Sequence, residues 1–243
     1  MPQSIFISDL HLAPERPATV ALFLDFLRRR GREADSLYIL GDLFDAWIGD
    51  DDDTPPYPHI RAALQDLTAS GTRCLIMHGN RDFLIGRAFA RETGCTLLKD
   101  PTLVDLEGTP TLLMHGDLLC TDDVPYQKFR RRIRNPIVTR LVLWKPLKKR
   151  RAIAAGYRRK SGEAMAAKTE DIMDVNQGTV VDYMRRYDAE RLIHGHTHRP
   201  ADHRLQLDDR SVTRSVLAEW HQDRGGLLVC SEGNWRRESI NRG

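Results

Sequence analysis

Residues 38–52 read YILGDLFDAWIGDDD, and this stretch is the most informative one for the fold. Its apolar start predicts a buried strand over 37–40, and this strand stops at Gly41-Asp42. Apolar runs at 5–7 and 74–77 also end in small and polar residues. The first part of the chain therefore predicts several buried strands that each deliver polar side chains at their carboxyl ends.

Helical segments separate these strands. Apolar residues recur with helical spacing at 17–30, 58–69 and 86–93. Strands that alternate with helices predict an α/β fold. A hairpin is predicted at 102–114, with its turn at 107–110. Further strands are predicted at 192–193 and then, as antiparallel strands that close the chain, at 203–207, 212–217 and 226–230.

Composition excludes several classes of protein. The chain has 243 residues, of which 41% are hydrophobic and 29% charged, and these values exclude a largely disordered protein. Four cysteines, none in a Cys-x-x-Cys pair, predict reduced thiols in a cytoplasmic protein. The first apolar run stops at Asp9, so we expect no signal peptide. No stretch reaches the roughly 18 apolar residues of a spanning helix, so membrane contact would have to be peripheral.

Charge is distributed unevenly along the chain. The total is 37 Lys and Arg against 34 Asp and Glu, a formal net charge of +3. Residues 124–162 hold 14 of the basic residues and no acidic one, which leaves 23 basic against 34 acidic residues elsewhere, a balance of −11. Residues 124–187 also have helical character, with apolar residues interleaved among the bases. We predict a single domain over 1–243 with a helical lid inserted at about 124–187.

Five predicted strand ends carry side chains that can bind transition metals. These side chains are Asp9, His11, Asp42, Asn80, His115, His196 and His198. Because ligand sites in α/β sheets lie beyond the carboxyl ends of the strands, we expect them to converge on one rim. Each piece alone is a common chance pattern, whereas all five in this order are not. His194 lies inside the last motif, but strand alternation predicts that it points elsewhere as a packed histidine.

Seven ligands are too many for one metal ion but suit two ions that share a carboxylate. Mixed imidazole, carboxylate and amide ligation favours Mn, Fe, Co or Zn over Ca or Mg. The ordered set resembles the calcineurin-like metallophosphoesterase superfamily, which implies a four-layer α/β/β/α fold with a dinuclear centre. By this resemblance one metal is bound by Asp9, His11 and His198, the other by Asn80, His115 and His196, and Asp42 bridges them. The nucleophile is then expected to be water activated at the metal pair and not a side chain.

Arg81 is a departure from the common Gly-Asn-His signature of that superfamily. A guanidinium stays protonated and cannot act as a general acid, but it can bind phosphate oxygens bidentately and stabilise developing charge. The leaving group should therefore need little protonation, as is true of a phosphate that leaves from a pyrophosphate. The alternative is that Arg81 forms a surface ion pair with Asp82.

Longer strings narrow the resemblance. YILGDLFDAWIGDDD at 38–52, HGNRDFLIG at 78–86, LLMHGD at 112–117 and LIHGHTHRP at 192–200 are similar to the UDP-2,3-diacylglucosamine pyrophosphohydrolases of lipid A biosynthesis. The resemblance implies that water attacks the α-phosphorus of UDP-2,3-diacylglucosamine, giving UMP and 2,3-diacylglucosamine 1-phosphate. It also implies two Mn²⁺ per chain and catalytic roles for Asn80, Arg81 and His115.

The lid acquires a role from the same resemblance. Its mixture of basic and apolar residues suits contact with anionic lipid at the cytoplasmic face of the inner membrane, or an acyl-chain chamber. A solvated face or a nucleic-acid patch is the alternative for a basic segment. Substrate contacts are implied at Asn80, Arg81, Asp123, Ser161, Lys168 and His196. Met165 departs from the polar residue expected there, and Glu219-Trp220 also departs from the family pattern and is assigned no function.

Two other functions fit part of the pattern. A soluble nucleotide pyrophosphatase or nuclease of the same superfamily would use the basic segment to bind nucleic acid with a steep salt dependence. A metal-dependent binding module would have no turnover to lose when Asp42 or His115 is replaced. We expect instead a monomeric enzyme that binds its lipid substrate and the membrane surface and does not bind nucleic acid.

Overall fold

The computed structural model of the protein describes residues 2–166 and 174–241, without the side chains of residues 160–166. One sheet has six strands in the order β11-β10-β1-β2-β3-β4. Its strands are β1 (Gln3–Ile7), β2 (Ser36–Leu40), β3 (Arg73–Met77), β4 (Thr96–Leu98), β10 (Arg224–Ser231) and β11 (Asn234–Asn241). Strands β1 to β4 pair in parallel, so the carboxyl ends of β1, β2 and β3 meet at one edge.

The second sheet has five strands in the order β5-β6-β7-β9-β8. Its strands are β5 (Thr102–Leu106), β6 (Thr109–Leu113), β7 (Arg191–His194), β8 (Ala201–Leu207) and β9 (Arg210–Val216). Strands β6, β7 and β9 run parallel, whereas β5 and β8 pair antiparallel at the two edges. The predicted hairpin of β5 and β6 is confirmed.

Three separate hydrophobic cores define the layers. Ile5 and Ile7 of β1 pack against the helices α1 (Pro17–Arg28), α2 (Tyr57–Ala69) and α3 (Arg87–Thr93). Phe6, between them in sequence, points to the opposite face and packs between the two sheets with residues of the second sheet. On the far side of the second sheet, helix α7 (Gln177–Arg186) buries Val180 and Met184. This order confirms the predicted four-layer α/β/β/α fold.

Three further helices lie between β6 and α7, in the segment predicted as a lid. They are α4 (Val124–Ile133), α5 (Pro136–Leu143) and α6 (Leu147–Ala166). Helices α4 and α5 have no fully buried residue, which distinguishes them from α7. α7 therefore serves the outer layer of the sandwich, although it lies inside the stretch 124–187.

Two strands were not predicted from the sequence. β4 has only three residues, too few for a periodic pattern. β11 lies at the edge of the first sheet and pairs with β10 over its whole length, but its sequence is NWRRESIN. An exposed edge strand does not need a hydrophobic face, so its sequence lacks the alternating apolar pattern that would predict a strand.

Candidate metal centre

Left-handed backbone conformations present most of the predicted ligands. The φ angle is 56° at Asp9, 50° at His11, 52° at Asp42, 68° at His196 and 55° at His198. A positive φ is uncommon outside glycine and costs about 1–3 kcal/mol per residue. Contacts between the loops hold these conformations, since His11 N donates to Asp42 O at 3.0 Å and Asp9 N donates to Gly41 O at 3.1 Å.

Two glycines leave room for the carboxylates. A Cβ atom at Gly79 would overlap with Asp42 Oδ1, and one at Gly195 would overlap with Asp9 Oδ2. The glycines beside Asn80 and His196 are therefore required by the close approach of a buried carboxylate from another strand end.

The first cluster contains Asp9, His11 and His198. His198 Nε2 lies 3.4 Å from Asp9 Oδ1 and 3.5 Å from His11 Nε2. Asp9 and His11 are buried, whereas His198 is half-buried at the rim. The structure thus brings together the three side chains predicted to bind one metal ion.

The second cluster is centred on the side-chain oxygen of Asn80. Asn80 Oδ1 lies 3.0 Å from His115 Nε2 and 3.0 Å from His196 Nδ1. Asp42 lies between the clusters, with Oδ2 3.9 Å from His11 Nδ1 and Oδ1 3.9 Å from His115 Nε2. One carboxylate therefore faces both groups of ligands.

The residues fit a pair of divalent cations. Metal–ligand bonds to nitrogen and oxygen are about 2.0–2.2 Å, so two ligands of one ion are expected about 3–4 Å apart, as found in both clusters. Asp9 Oδ1 and His11 Nδ1 are buried without an aligned hydrogen bond among the described residues. Because a buried polar atom without a partner is costly, these atoms are suited to a cation.

A backbone carbonyl orients one histidine of the second cluster. His115 Nδ1 lies 3.0 Å from Leu40 O, so an Nδ1–H can donate to this carbonyl while Nε2 faces Asn80 Oδ1 at 3.0 Å. Metal-binding histidines commonly have such a partner for the nitrogen that does not bind the metal.

The pKa values of the ligands reflect burial and the neighbouring charges. Burial lowers the pKa of His11 to about 3 and that of His196 to about 4, so both are neutral near pH 7. Burial also opposes protonation of His198, but contacts with Asp9 and Glu219 raise its pKa to about 10. Burial, reinforced by neighbouring carboxylates, raises the pKa of Asp42 to about 7. Burial opposes protonation of His115 as well, but the carboxylates of Asp42, Asp117 and Asp9 raise its pKa. Without a cation the centre therefore favours protons on His198 and His115 and, partly, on Asp42 at neutral pH.

Arg81 is held at the edge of the centre. Its backbone N–H donates to Asp42 Oδ1 at 2.9 Å, and its guanidinium Nη1 lies 2.6 Å from Asp45 Oδ1. The alternative that Arg81 pairs with Asp82 is wrong, because Asp82 is fully buried and accepts from the N–H groups of Leu43 and Gly79. Arg81 is thus an oriented, half-exposed cation beside the ligands.

Helix α4 packs closely against the second cluster. Asp123 is buried, and its Oδ1 caps α4 by accepting from Tyr126 N at 3.1 Å. Tyr126 stacks on His196 and donates its hydroxyl to the buried Asp117, which also accepts from Arg130 Nε at 2.6 Å. These contacts make α4 a wall of the site.

The remaining predicted residues lie in the lid and in the core. Ser161 lies on α6, where its side chain is not described, and Lys168 lies outside the described residues. His194 is buried with Nδ1 2.8 Å from Gly195 O, as expected for a packed histidine. Sequence reasoning assigned no role to Asp45, which contacts Arg81, to Tyr126, which stacks on His196, or to Glu219, which contacts His198. It also assigned none to Asp117, which contacts Tyr126 and Arg130. Asp45 and Asp117 lie inside the strings that carry the family resemblance and Glu219 departs from the family pattern, whereas Tyr126 had no such signal.

Comparisons with known proteins agree with this geometry. The family model of calcineurin-like phosphoesterases matches residues 4–200. The chain is 54% identical over 231 residues to a UDP-2,3-diacylglucosamine hydrolase of Salmonella paratyphi B, covering 95% of this chain and 96% of the relative. It is 50% identical over 229 residues to a protein of the same name from Yersinia pseudotuberculosis, covering 94% and 95%.

Among solved structures, an archaeal phosphodiesterase is similar with a TM-score of 0.49 at 10% identity, covering 98% of this chain and 99% of that one. The sequence matches confirm the resemblance found in the motifs. The chain therefore belongs to the calcineurin-like phosphoesterase family and, within it, to the UDP-2,3-diacylglucosamine hydrolases.

Proposed function

We propose that this chain is a lipid A biosynthesis enzyme that hydrolyses the pyrophosphate bond of UDP-2,3-diacylglucosamine. Water attacks the α-phosphorus, and the products are UMP and 2,3-diacylglucosamine 1-phosphate. The observation that carries this proposal is the pair of ligand clusters facing Asp42, in a chain 54% identical to UDP-2,3-diacylglucosamine hydrolases.

Two divalent cations, which we infer to be Mn²⁺, are the cofactors. Asp9, His11 and His198 would hold one ion, Asn80, His115 and His196 the other, and Asp42 both. Ions held in this way polarise phosphoryl oxygens and make water a stronger nucleophile. The chain itself orients these ligands through strained loops and excludes bulk water by burying Asp9, His11, Asp42 and His115.

Arg81 is the residue that stabilises the negative charge of the leaving phosphate. Its guanidinium is fixed at one end by Asp45 and lies 3.8 Å from Oδ2 of Asp42, the carboxylate that would hold both ions. A fixed cation stabilises negative charge that develops on a leaving group without donating a proton. This arrangement suits a pyrophosphate, because its leaving group is already a weak base.

The lid presents an apolar and basic surface that we assign to the membrane and the acyl chains. The exposed fractions are 70% for Ile137, 52% for Leu141 and 78% for Trp144. The same helices and their connections carry exposed bases, namely Lys128, Arg131, Arg132, Arg140, Lys145, Lys148 and Lys149. No helix in the described ranges is long and apolar enough to cross a bilayer. We therefore propose a monomer bound peripherally to the cytoplasmic face of the inner membrane.

Ion pairing within the protein weakens the alternative of a nucleic-acid patch. Arg130 pairs with Asp117, Arg150 with Asp51 and Arg158 with Asp45. These three bases are already matched by carboxylates, and the exposed apolar side chains Ile137, Leu141 and Trp144 lie among the remaining bases in the sequence. Asp123, Ser161, Lys168 and His196 remain our proposed contacts to the sugar and phosphates.

The test is Mn²⁺-dependent release of UMP from UDP-2,3-diacylglucosamine in mixed micelles. Asp42→Ala and His115→Ala should abolish turnover, whereas the exposed His59→Ala should not. Hydrolysis in H₂¹⁸O should place the label in UMP, since water attacks the α-phosphorus. Label in the lipid phosphate would contradict the site of attack, and turnover of a soluble dinucleotide without turnover of the lipid would contradict the substrate.

A further inference from the structure

Glu219 lies beside the first cluster in the segment that joins β9 to β10. Its neighbour Trp220 is fully buried and packs edge-on against Phe23 and Phe26 of α1. Trp220 N also donates to Asp9 O at 3.1 Å. The core of the first sheet therefore fixes the backbone at Glu219 relative to the metal ligand Asp9.

The carboxylate of Glu219 faces the outer nitrogen of a ligand. Glu219 Oε2 lies 3.0 Å from His198 Nδ1, while His198 Nε2 faces Asp9 Oδ1 and His11 Nε2. Glu219 Oε1 is 3.9 Å from Arg16 Nη2, and the same nitrogen donates to Trp220 O at 3.2 Å. Both oxygens of the carboxylate thus have a defined neighbour.

This arrangement is a carboxylate–histidine–metal relation. When a carboxylate accepts the Nδ1–H of a histidine, the Nε2 lone pair is left free for the metal, the ring is oriented and the imidazole becomes a stronger ligand. Among the described residues, the partner of His115 Nδ1 in the second cluster is the neutral carbonyl of Leu40. The two clusters therefore differ in the charge that supports a histidine.

We propose that Glu219 is a positioning residue for the first metal ion, because it holds His198 with Nδ1 protonated and Nε2 directed at Asp9 and His11. Glu219 strengthens binding at the first cluster and leaves the second unchanged. The inference rests on the two-cation centre of the proposed function and concerns metal binding alone, which needs no substrate to be measured.

The test is titration of the metal-stripped protein with Mn²⁺, with free Mn²⁺ followed by electron paramagnetic resonance. His198→Ala and Asn80→Ala assign the two binding steps to the first and second clusters. Glu219→Ala should weaken the first step by about 10–100-fold and leave the second unchanged. Glu219→Gln keeps an acceptor without the charge and should lie between Glu219→Ala and the parent. Asp223→Asn, which removes an exposed carboxylate from the same connecting segment, should bind like the parent.

A spectroscopic measurement separates positioning from general support of the fold. In ¹⁵N-labelled protein loaded with Zn²⁺ as a diamagnetic probe, His198 should carry its proton on Nδ1, and Glu219→Ala should broaden or shift this signal alone among the ligand histidines. Equal Mn²⁺ affinities in Glu219→Ala and the parent would overturn the proposal. A loss that is equal at both clusters, or confined to the second, would also overturn it. If the parent protein fails to release UMP although Glu219→Ala weakens the first binding step alone, the positioning role of Glu219 is supported and the proposed reaction is contradicted.

Discussion

Arg81 is the residue at which the proposed role in the reaction can be tested separately from metal binding. It touches Asp45 and Asp42 through its guanidinium and backbone but belongs to neither cluster. Arg81→Ala should therefore lower kcat by about 10²–10³-fold, the usual loss for one stabilising donor, with Mn²⁺ content unchanged. Arg81→Lys should restore little, because an ammonium cannot reproduce the planar fork. Steady-state kinetics beside metal analysis check this, and a parallel loss of metal would assign Arg81 a supporting role.

Protons and metal ions compete for His198, Asp42 and His115, whose pKa values are all raised. The pKa of His198 is raised to about 10 and that of Asp42 to about 7, so both hold protons below these values in the metal-free protein. A ligand must lose its proton to bind a metal, so Mn²⁺ affinity should rise as pH increases through 7 and fall as pH decreases. Calorimetry at pH 7 in two buffers of different ionisation enthalpy should detect proton release. Binding heats independent of the buffer would contradict it.

Helix α6 shows that part of the basic insertion is ion-paired to the body of the protein. Arg150 is buried and binds Asp51 through Nη1 at 2.7 Å and the carbonyl of Ile48 at 2.7 Å. Arg151 binds Asp52, and Arg158 binds the Asp45 that orients Arg81. One side of the lid is thus ion-paired to the acidic loop that follows β2. The membrane-facing role predicted for the basic segment would therefore fall to its other basic residues, because Arg150, Arg151 and Arg158 bind carboxylates of the protein itself.

Replacing Arg150 should therefore affect folding and not membrane binding. Arg150→Ala removes a charged donor from Ile48 O and Asp51 and should lower stability by about 1–3 kcal/mol. The double change Lys148→Ser and Lys149→Ser, on exposed neighbours, should leave stability unchanged and weaken binding to anionic vesicles. Chemical denaturation and vesicle sedimentation distinguish the two. Equal vesicle binding by the Lys variant and the parent would remove these lysines from the membrane surface.

Helix α5 carries the apolar part of that surface. Ile137→Ser, Leu141→Ser and Trp144→Ser together should reduce vesicle binding while the protein remains folded, because these side chains are mostly exposed. Leu103→Ser is a matched control, since Leu103 is 44% exposed on β5, outside the lid. Vesicle flotation of both variants checks the assignment. A loss of the same size in Leu103→Ser would show that exposed apolar area in general is responsible.

At the level of the whole molecule, the fold and the metal centre are separable. The three hydrophobic cores lie between the layers, whereas the ligands lie at the rim where the strands end. Chelation should therefore leave the secondary structure intact and lower Tm, because cations that bind only the folded state stabilise it by mass action. Circular dichroism with and without chelator measures both, and Mn²⁺ should restore Tm. Unfolding on chelation would show that the hydrophobic cores alone do not keep the protein folded.

The central strands were largely predictable because they are buried on both faces. Ile5, Phe6 and Ile7 are all apolar, as required of a strand between two cores, and the helices of the outer layer follow a clear periodicity. β4 and β11 escaped prediction because pairing with a neighbour, and not their own hydrophobicity, specifies them. Prediction failed where the structural cause lies in another segment.

The amino-acid order alone was sufficient to identify the seven candidate ligands and the rim where they meet, because ligand chemistry is local and parallel strands end together. The polar contacts between remote segments, including the one that supports His198, became visible only in the folded chain. Arg150 and Asp51 are 99 positions apart, Arg158 and Asp45 are 113, and Glu219 reaches His198 from a different strand connection. Ion pairs and hydrogen bonds depend on distances of about 3 Å, and such proximity between remote segments is a property of packing.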